Sequence, residues 1–210
     1  MKAKNAQIDL DFFDFNAKEN KTVTESIEEL KENILSNKFY DFICFSLRQI
    51  DGFFFPERLE KKALDKIINR IKEITDEIKD KAGSISVIGG PGFSTYEKEL
   101  SKILLVDYGV IGEGEGVLNN LINSEESDLA LKKSGNIKIL SDNNCIDLRS
   151  YSPFFFNLDD YINVPIGLQT HRGCPFNCLY CNYKYIEGKS VRFFPVENII
   201  SQLKGLKSNG

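Results

Sequence analysis

Three cysteines lie within eight residues of this 210-residue chain, in the stretch THRGCPFNCLYC at 170–181. Cys174, Cys178 and Cys181 have the spacing CxxxCxxC, which brings three thiolates to one side of a compact loop. Such a loop can bind metal. When three protein ligands hold a four-iron cluster, one iron keeps no protein ligand, just as catalytic metal sites keep an open position for substrate. The spacing therefore predicts a metal centre at which chemistry can occur.

The residues around these cysteines favour the same interpretation. Gly173 allows the backbone to turn tightly beside the first cysteine, and Pro175 fixes the next φ angle. Pro175 thereby restricts the chain before any ligand binds, so that the loop loses less entropy on closing. The segment 161–195 is also locally basic, which offsets thiolate charge; its charged residues are Arg172, Lys184, Lys189 and Arg192 against Glu187.

A zinc site is the alternative that the residues themselves leave open. His171, the only histidine in the chain, precedes Cys174 at H-x-x-C spacing, and three cysteines with one histidine are an accepted zinc set. Zinc knuckles usually consist of two separated ligand pairs, which this loop does not have. Cys44 and Cys145 have no partner spacing, and we interpret them as a small buried apolar residue and an incidental loop thiol.

Composition limits the classes of protein that can carry this loop. The chain has 27 basic and 31 acidic residues, a net charge of −4 and 41% hydrophobic residues. This balance predicts a globular protein that binds neither nucleic acid nor a membrane surface. No signal-peptide stretch or membrane span is seen, and five cysteines are an odd number, so we expect a reducing, cytoplasmic location.

The first 125 residues alternate strand-like and helix-like patterns, which predicts a parallel α/β sheet. The predicted strands are 8–13, 39–47, 84–90 and 104–111, with capping boxes at Thr22/Glu25 and Ser94/Glu97 and a helix from Pro56. A polar stretch at 126–160 is predicted as a linker with a short strand at 137–140. A strand at 164–170 then precedes the cysteine loop, and a last helix carries the apolar face Val196, Ile199, Ile200 and Leu203.

Two glycine-rich turns come after predicted strands, at 89–92 and 112–116. An open α/β sheet places its ligand at such strand-to-helix turns. Neither turn is a GxGxxG fingerprint or a Walker loop, and tight turns use glycine anyway, so a purely structural interpretation also stands.

The stretch GCPFNCLYC at 173–181 resembles the signature of radical S-adenosylmethionine (SAM) enzymes. The resemblance implies that Cys174, Cys178 and Cys181 bind a 4Fe-4S cluster, that SAM chelates the free iron, and that Tyr180 lies against the adenine. It implies reductive cleavage of SAM to a 5'-deoxyadenosyl radical, with an electron donor such as flavodoxin or ferredoxin. The substrate, a small molecule or a peptide, is not indicated.

Further stretches resemble cobalamin-dependent members of that family. SLRQID, VIGGPGFS and YGVIGEGEG occur in this order before the cysteine loop, and CNYKYIEGKSVRF resembles the segment just after the cluster loop in those members. The resemblance implies that two turns line the pocket for the nucleotide tail of cobalamin: Gly89, Gly90, Pro91, Gly92, Phe93 and Ser94 in the first, and Gly112, Glu113, Gly114 and Glu115 in the second. The D-x-H-x-x-G motif is absent, so no histidine ligand to cobalamin is expected from that loop.

The resemblance also implies a domain order. We expect a Rossmann-like cobalamin-binding α/β domain at 1–125 without its first strand, a linker at 126–160, and the beginning of a radical SAM β/α barrel at 161–210. Because only 29 residues come after Cys181 and a barrel needs on the order of 200, we expect an N-terminal part of a larger enzyme, or one part of a split enzyme, inactive alone. The sequence does not decide whether the reaction is a methyl transfer or a rearrangement. The alternative is a non-catalytic α/β module that binds a small ligand, with a structural zinc or electron-transfer Fe-S loop.

Overall fold

The computed structural model describes residues 28, 32, 40–47, 68–69, 71–76, 84–123, 130–141, 146–150 and 167–208. The chain divides into two compact units, one formed by Lys31–Cys145 and the other by Met1–Leu30 together with Ile146–Gly210. The strand predicted at 8–13 and the capping box at Thr22 lie outside the described residues.

A five-stranded sheet forms the centre of the first unit. Its strands are β1 (Phe42–Ser46), β2 (Ile85–Gly89), β3 (Tyr108–Ile111), β4 (Ala130–Ser134) and β5 (Ile137–Ser141). Their order in space is β1-β2-β3-β5-β4, with four parallel strands and β4 antiparallel at the edge. The prediction of a Rossmann-like parallel α/β sheet is confirmed.

Helices cover the sheet because alternate residues of each strand point to opposite faces. Three helices come after strands: α1 (Gly90–Thr95), α2 (Glu97–Ile103) and α3 (Gly114–Ile122). Ile88 packs in one buried cluster with Phe93 and Leu100, whereas its neighbour Val87 packs in another with Val117. Both faces of β2 are therefore buried, which explains its nearly continuous apolar sequence. Residues 71–76 are helical and Ile71 is buried, as predicted for the helix after Pro56.

The capping box predicted at Ser94 and Glu97 is wrong. The helix begins earlier, at Gly90, because Pro91 suits the first helical turn, where no amide donor is needed. Ser94 lies inside α1, and Glu97 begins the separate helix α2, whose N-cap residue Tyr96 makes no side-chain capping bond.

The sheet continues beyond residue 125. Strands β4 and β5 both fall within the stretch 126–160 that was predicted as a linker, and β5 pairs with β3 from Tyr108↔Lys138 to Ile111↔Ser141. The strand predicted at 137–140 is confirmed. The polar residues on either side concealed its place in the sheet, although Ile137, Ile139 and Leu140 are all buried.

The second unit contains short elements around the cysteine loop. They are a 3-10 turn (Leu148–Ser150), β6 (His171–Arg172), α4 (Tyr183–Ile186), β7 (Arg192–Phe193) and α5 (Val196–Ser208). Residues 167–170 are not strand, so the strand predicted at 164–170 is wrong over its described part, and pairing begins at His171. The final helix is confirmed, with Val196, Ile200 and Leu203 of its predicted apolar face exposed. Over the described part of the chain, no helix has the length and apolar character needed to cross a bilayer.

Candidate metal centre and ligand-binding turns

Main-chain pairing closes the segment that holds the three cysteines. Strands β6 and β7 are antiparallel, with His171 opposite Phe193 and Arg172 opposite Arg192. The amide of Phe194 also donates to the carbonyl of Thr170 at 3.1 Å. The segment 173–191 is therefore a loop whose two ends are joined, and Cys174, Cys178 and Cys181 all lie within it.

The turn before the first cysteine requires glycine. Gly173 has φ +86°, and a Cβ built there would lie 2.1 Å from the carbonyl oxygen of Ser190. The next amide, that of Cys174, donates to the carbonyl of Gly188 at 3.1 Å. The backbone at 173–174 thus lies directly against the backbone at 188–190, as the predicted tight turn requires.

The three thiols have the chemistry of a metal-binding set. All three are free, Cys174 and Cys181 are half-buried, and Cys178 is exposed. The amide of Cys181 donates to the carbonyl of Cys178 at 3.2 Å, which makes a turn between these two. Within the described ranges no three Cys, His, Asp or Glu side chains are close enough to hold a metal ion. The loop fits a cluster by its donor set, and the thiols must turn toward one another on binding.

His171 is not grouped with the cysteines in the described part of the chain. Its imidazole is exposed, with Nδ1 3.3 Å from the Thr170 hydroxyl and its ring centroid 6.0 Å from that of Phe193. His171 thus lies on β6, just before the cysteine loop.

Large apolar side chains of the cysteine loop face solvent. Tyr180 is 92% exposed, and Phe176 and Leu179 are 71% and 105% exposed. Exposed apolar groups that lie together mark a binding surface more often than scattered ones do. Tyr180, predicted to contact adenine, is accessible to a planar ligand.

Sequence reasoning assigned no role to Glu187, although it is the only acid between 161 and 195. Its carboxylate accepts from the side-chain amide of Gln169 at 3.2 Å and from the amide of Gly173 at 3.4 Å. Burial, and then the hydrogen bond and charge of Glu187, raise the pKa of Tyr183 to about 12. A single acid in a basic segment was the signal that could have identified this residue.

The first glycine turn lies against the end of β1. Gly90 has φ +89°, and a Cβ there would lie 2.6 Å from the carbonyl oxygen of Leu47. That oxygen accepts from the amide of Gly92 at 2.9 Å, and the Leu47 amide donates to the carbonyl of Gly89 at the same distance. The prediction of a tight strand-to-helix turn is confirmed, and a residue with a Cβ at position 90 would displace the backbone of Leu47.

The second glycine turn is hydrogen-bonded to the first. Gly112 has φ +81°, and its amide donates to the Ser94 hydroxyl at 3.0 Å. The two turns therefore meet at the carboxyl ends of β2 and β3, where an open sheet binds its ligand. Half-buried residues of the turns are Gly89, Gly90, Pro91, Ser94, Gly112, Glu113, Gly114 and Glu115.

Phe93, also predicted to line this pocket, is 0% exposed. Its ring packs against β3: a Cβ on Gly109 would lie 2.5 Å from Cζ of Phe93. Phe93 is thus a core residue of the sheet.

Cys44 differs from the loop cysteines in its chemistry. It is exposed at the surface of β1, so the prediction of a buried residue is wrong, yet nearby protein desolvates the thiol and raises its pKa to about 11 from 9.0. A raised pKa leaves less thiolate at pH 8. We expect iodoacetamide to alkylate Cys44 more slowly in the folded chain than in the unfolded chain, measured by mass spectrometry. Equal alkylation rates in the folded and unfolded chains would contradict the raised pKa of Cys44.

Cys145 lies outside the described residues.

No family model matches the chain. Two curated relatives do. A protein of Methanocaldococcus jannaschii, provisionally named a methylthiotransferase, is 27% identical over 150 residues, which cover 70% of this chain and 33% of the relative. An uncharacterized methyltransferase of Pyrococcus horikoshii is 30% identical over 135 residues, 56% of this chain and 29% of the relative. The chain thus spans about a third of the length of these relatives.

Two solved structures of the radical SAM methyltransferase TsrM from Kitasatospora setae share the fold. The structure with tryptophan substrate and a SAM analog has a TM-score of 0.64 at 19% identity, over 88% of this chain and 38% of that one. The structure with cobalamin and a [4Fe-4S] cluster has a TM-score of 0.65 at 18% identity over the same shares. The Rossmann-like fold predicted from the sequence is confirmed by these neighbours.

Proposed function

We propose that this chain is the part of a cobalamin-dependent radical SAM enzyme, of the methyltransferase type, that holds its cobalamin tail and its iron-sulfur cluster. The observation that carries the proposal is the closed loop 173–191 with its three free thiols in CxxxCxxC spacing. The fold shared with TsrM supports it, and so do the names of the two relatives, one a methylthiotransferase and the other a methyltransferase.

In the proposed centre each residue has a separate task. Cys174, Cys178 and Cys181 would hold a 4Fe-4S cluster, which supplies the electron for reductive cleavage of SAM. Gly173 fixes the turn before the first ligand. Tyr180, exposed next to the last ligand, offers an aromatic face to the adenine.

The two glycine turns would hold the tail of cobalamin. Both lie at the carboxyl edge of the sheet, and the positive φ of Gly90 and Gly112 brings backbone to the place where a ligand approaches. Cobalamin held there would have no histidine ligand from the two glycine turns, because the only histidine of the chain is His171.

Removal of the hydroxyl that joins the turns is expected to weaken cobalamin binding. Ser94→Ala loses the bond to the Gly112 amide, at a cost of about 1 kcal/mol, or about fivefold in affinity. The measurement is hydroxocobalamin titration followed by gel filtration. Thr95→Val is the matched control, because its hydroxyl bonds within α1 to the Pro91 carbonyl. Equal losses in both variants would argue against a role for the link between the turns.

Anaerobic reconstitution tests the proposed function as a whole. We expect a brown protein with about four iron atoms per chain, whose reduced EPR signal changes when SAM is added. In this experiment dithionite reduces the cluster, whereas in the complete enzyme flavodoxin or ferredoxin would donate the electron. A colourless protein with one zinc per chain would instead establish a structural metal site, and the enzyme proposal would fail.

A further inference from the structure

Glu187 lies where three parts of the second unit meet. It comes immediately after α4, and its carboxylate faces both the approach to β6 and the turn before Cys174. It is half-buried, so its hydrogen bonds are weakened less by water than those of a fully exposed side chain.

Both oxygens of this carboxylate accept hydrogen bonds. Oε1 accepts from Nε2 of Gln169 at 3.2 Å, and Oε2 accepts from the Gly173 amide at 3.4 Å. The Tyr183 hydroxyl makes a further hydrogen bond to Glu187. Gln169 is itself oriented, because its Oε1 accepts from Nε of Arg172 at 3.2 Å. One carboxylate therefore joins Gln169, which precedes the cysteine loop, to Gly173 and Tyr183 within it.

The main chain around Glu187 is fixed as well. Its carbonyl accepts from Nη2 of Arg192 at 2.7 Å, and Nη1 of the same guanidinium donates to the Ile146 carbonyl at 2.9 Å. The carbonyl of the next residue, Gly188, receives the Cys174 amide. The side chain and the backbone at 187–188 thus hold two consecutive amides of the loop, those of Gly173 and Cys174.

We propose that Glu187 is a positioning residue of the metal centre, which fixes the backbone of the first cysteine through Gly173 and is itself held by Tyr183 and Gln169. This inference rests on the proposed function, since it concerns a cluster bound by the three cysteines. Residues that orient metal ligands typically contribute 10–100-fold to metal affinity.

The test compares Glu187→Ala, Glu187→Gln and Tyr183→Phe with the wild-type chain. After reconstitution, iron release to a chelator is expected to be about 10–100-fold faster in Glu187→Ala and less affected in Glu187→Gln, whose amide oxygen still accepts one bond. Tyr183→Phe removes only a supporting hydroxyl, and an increase of roughly two- to tenfold is expected. The reduced EPR signal of Glu187→Ala should broaden, because the first ligand is no longer held in one position. Glu197→Gln, an exposed acid of α5, is the charge-matched control.

A second measurement needs no metal. In the metal-free chain, hydrogen exchange at the amides of 173 and 174 should be about tenfold faster in Glu187→Ala and unchanged in Glu197→Gln. Wild-type release rates and exchange in all three variants would overturn the positioning role while the proposed function stands. A wild-type chain that binds no iron would overturn the proposed function instead.

Discussion

Replacement of Cys178 by alanine is expected to lower the iron retained after anaerobic reconstitution from about four atoms per chain to less than about one. Only three thiolates are available to the proposed cluster, so the loss of one leaves two protein ligands for a cubane. Cys178 is exposed, and its removal creates no cavity in a core. The loss of iron would therefore report on ligation, and far-UV circular dichroism should stay unchanged.

Cys44→Ala is the control for this experiment. It also removes one thiol, from a strand of the other unit, and should keep the full iron content. Full iron retention in Cys178→Ala would mean that the CxxxCxxC loop does not bind the metal, and the central proposal would be wrong. Equal losses in both variants would point to non-specific iron binding.

Substitution of Gly173 by alanine is expected to reduce cluster occupancy by about tenfold or more without removal of any ligand. A φ of +86° costs a residue with a Cβ about 1–2 kcal/mol. That Cβ would also lie 2.1 Å from the Ser190 oxygen, and this neighbour is backbone that cannot rotate away. The main chain must move, with loss of the bond from Cys174 to Gly188, at a total cost of about 2–3 kcal/mol.

Gly167→Ala is the matched control for this substitution. Gly167 is described in the same unit, and a Cβ there would meet no atom within 4 Å. Its iron content and its rate of iron loss to a chelator should equal those of the wild type. Normal iron binding in Gly173→Ala would show that the loop adopts another backbone when it holds metal.

The sequence predicted the parts of the fold that are governed by local patterns. The apolar run at 85–89 and the glycine-proline turn after it define β2 and α1 because both faces of that strand are buried. The place of β4 and β5 in the sheet was not predictable in this way, since it depends on pairing with β3, which lies distant in sequence. Ser94 was assigned to a helix cap because the capping pattern is local, whereas its actual partner is the Gly112 amide.

The same distinction applies to the candidate sites. The spacing of the cysteines and the position of Gly173 were sufficient to predict a compact loop, and the structure confirms the turn. The contacts of Glu187 were not predictable from a local pattern, because its partners Gln169 and Gly173 lie 18 and 14 residues earlier in the chain. Phe93 shows the opposite error. The resemblance assigned this residue to the lining of the cobalamin pocket, whereas its side chain is fully buried in the core.

The pairing of β6 with β7 also bears on when each site can form during synthesis. Every hydrogen bond described between Gln169 and Phe194 joins residues close together in the chain, so this loop can close as soon as that stretch has left the ribosome. The residues whose hydrogen bonds form the glycine turns, among them Leu47, Gly92 and Gly112, all precede this stretch, so they have left the ribosome before the cysteine loop can close. In a nascent chain the cysteine loop can thus close without the hydrogen bonds that join the two glycine turns.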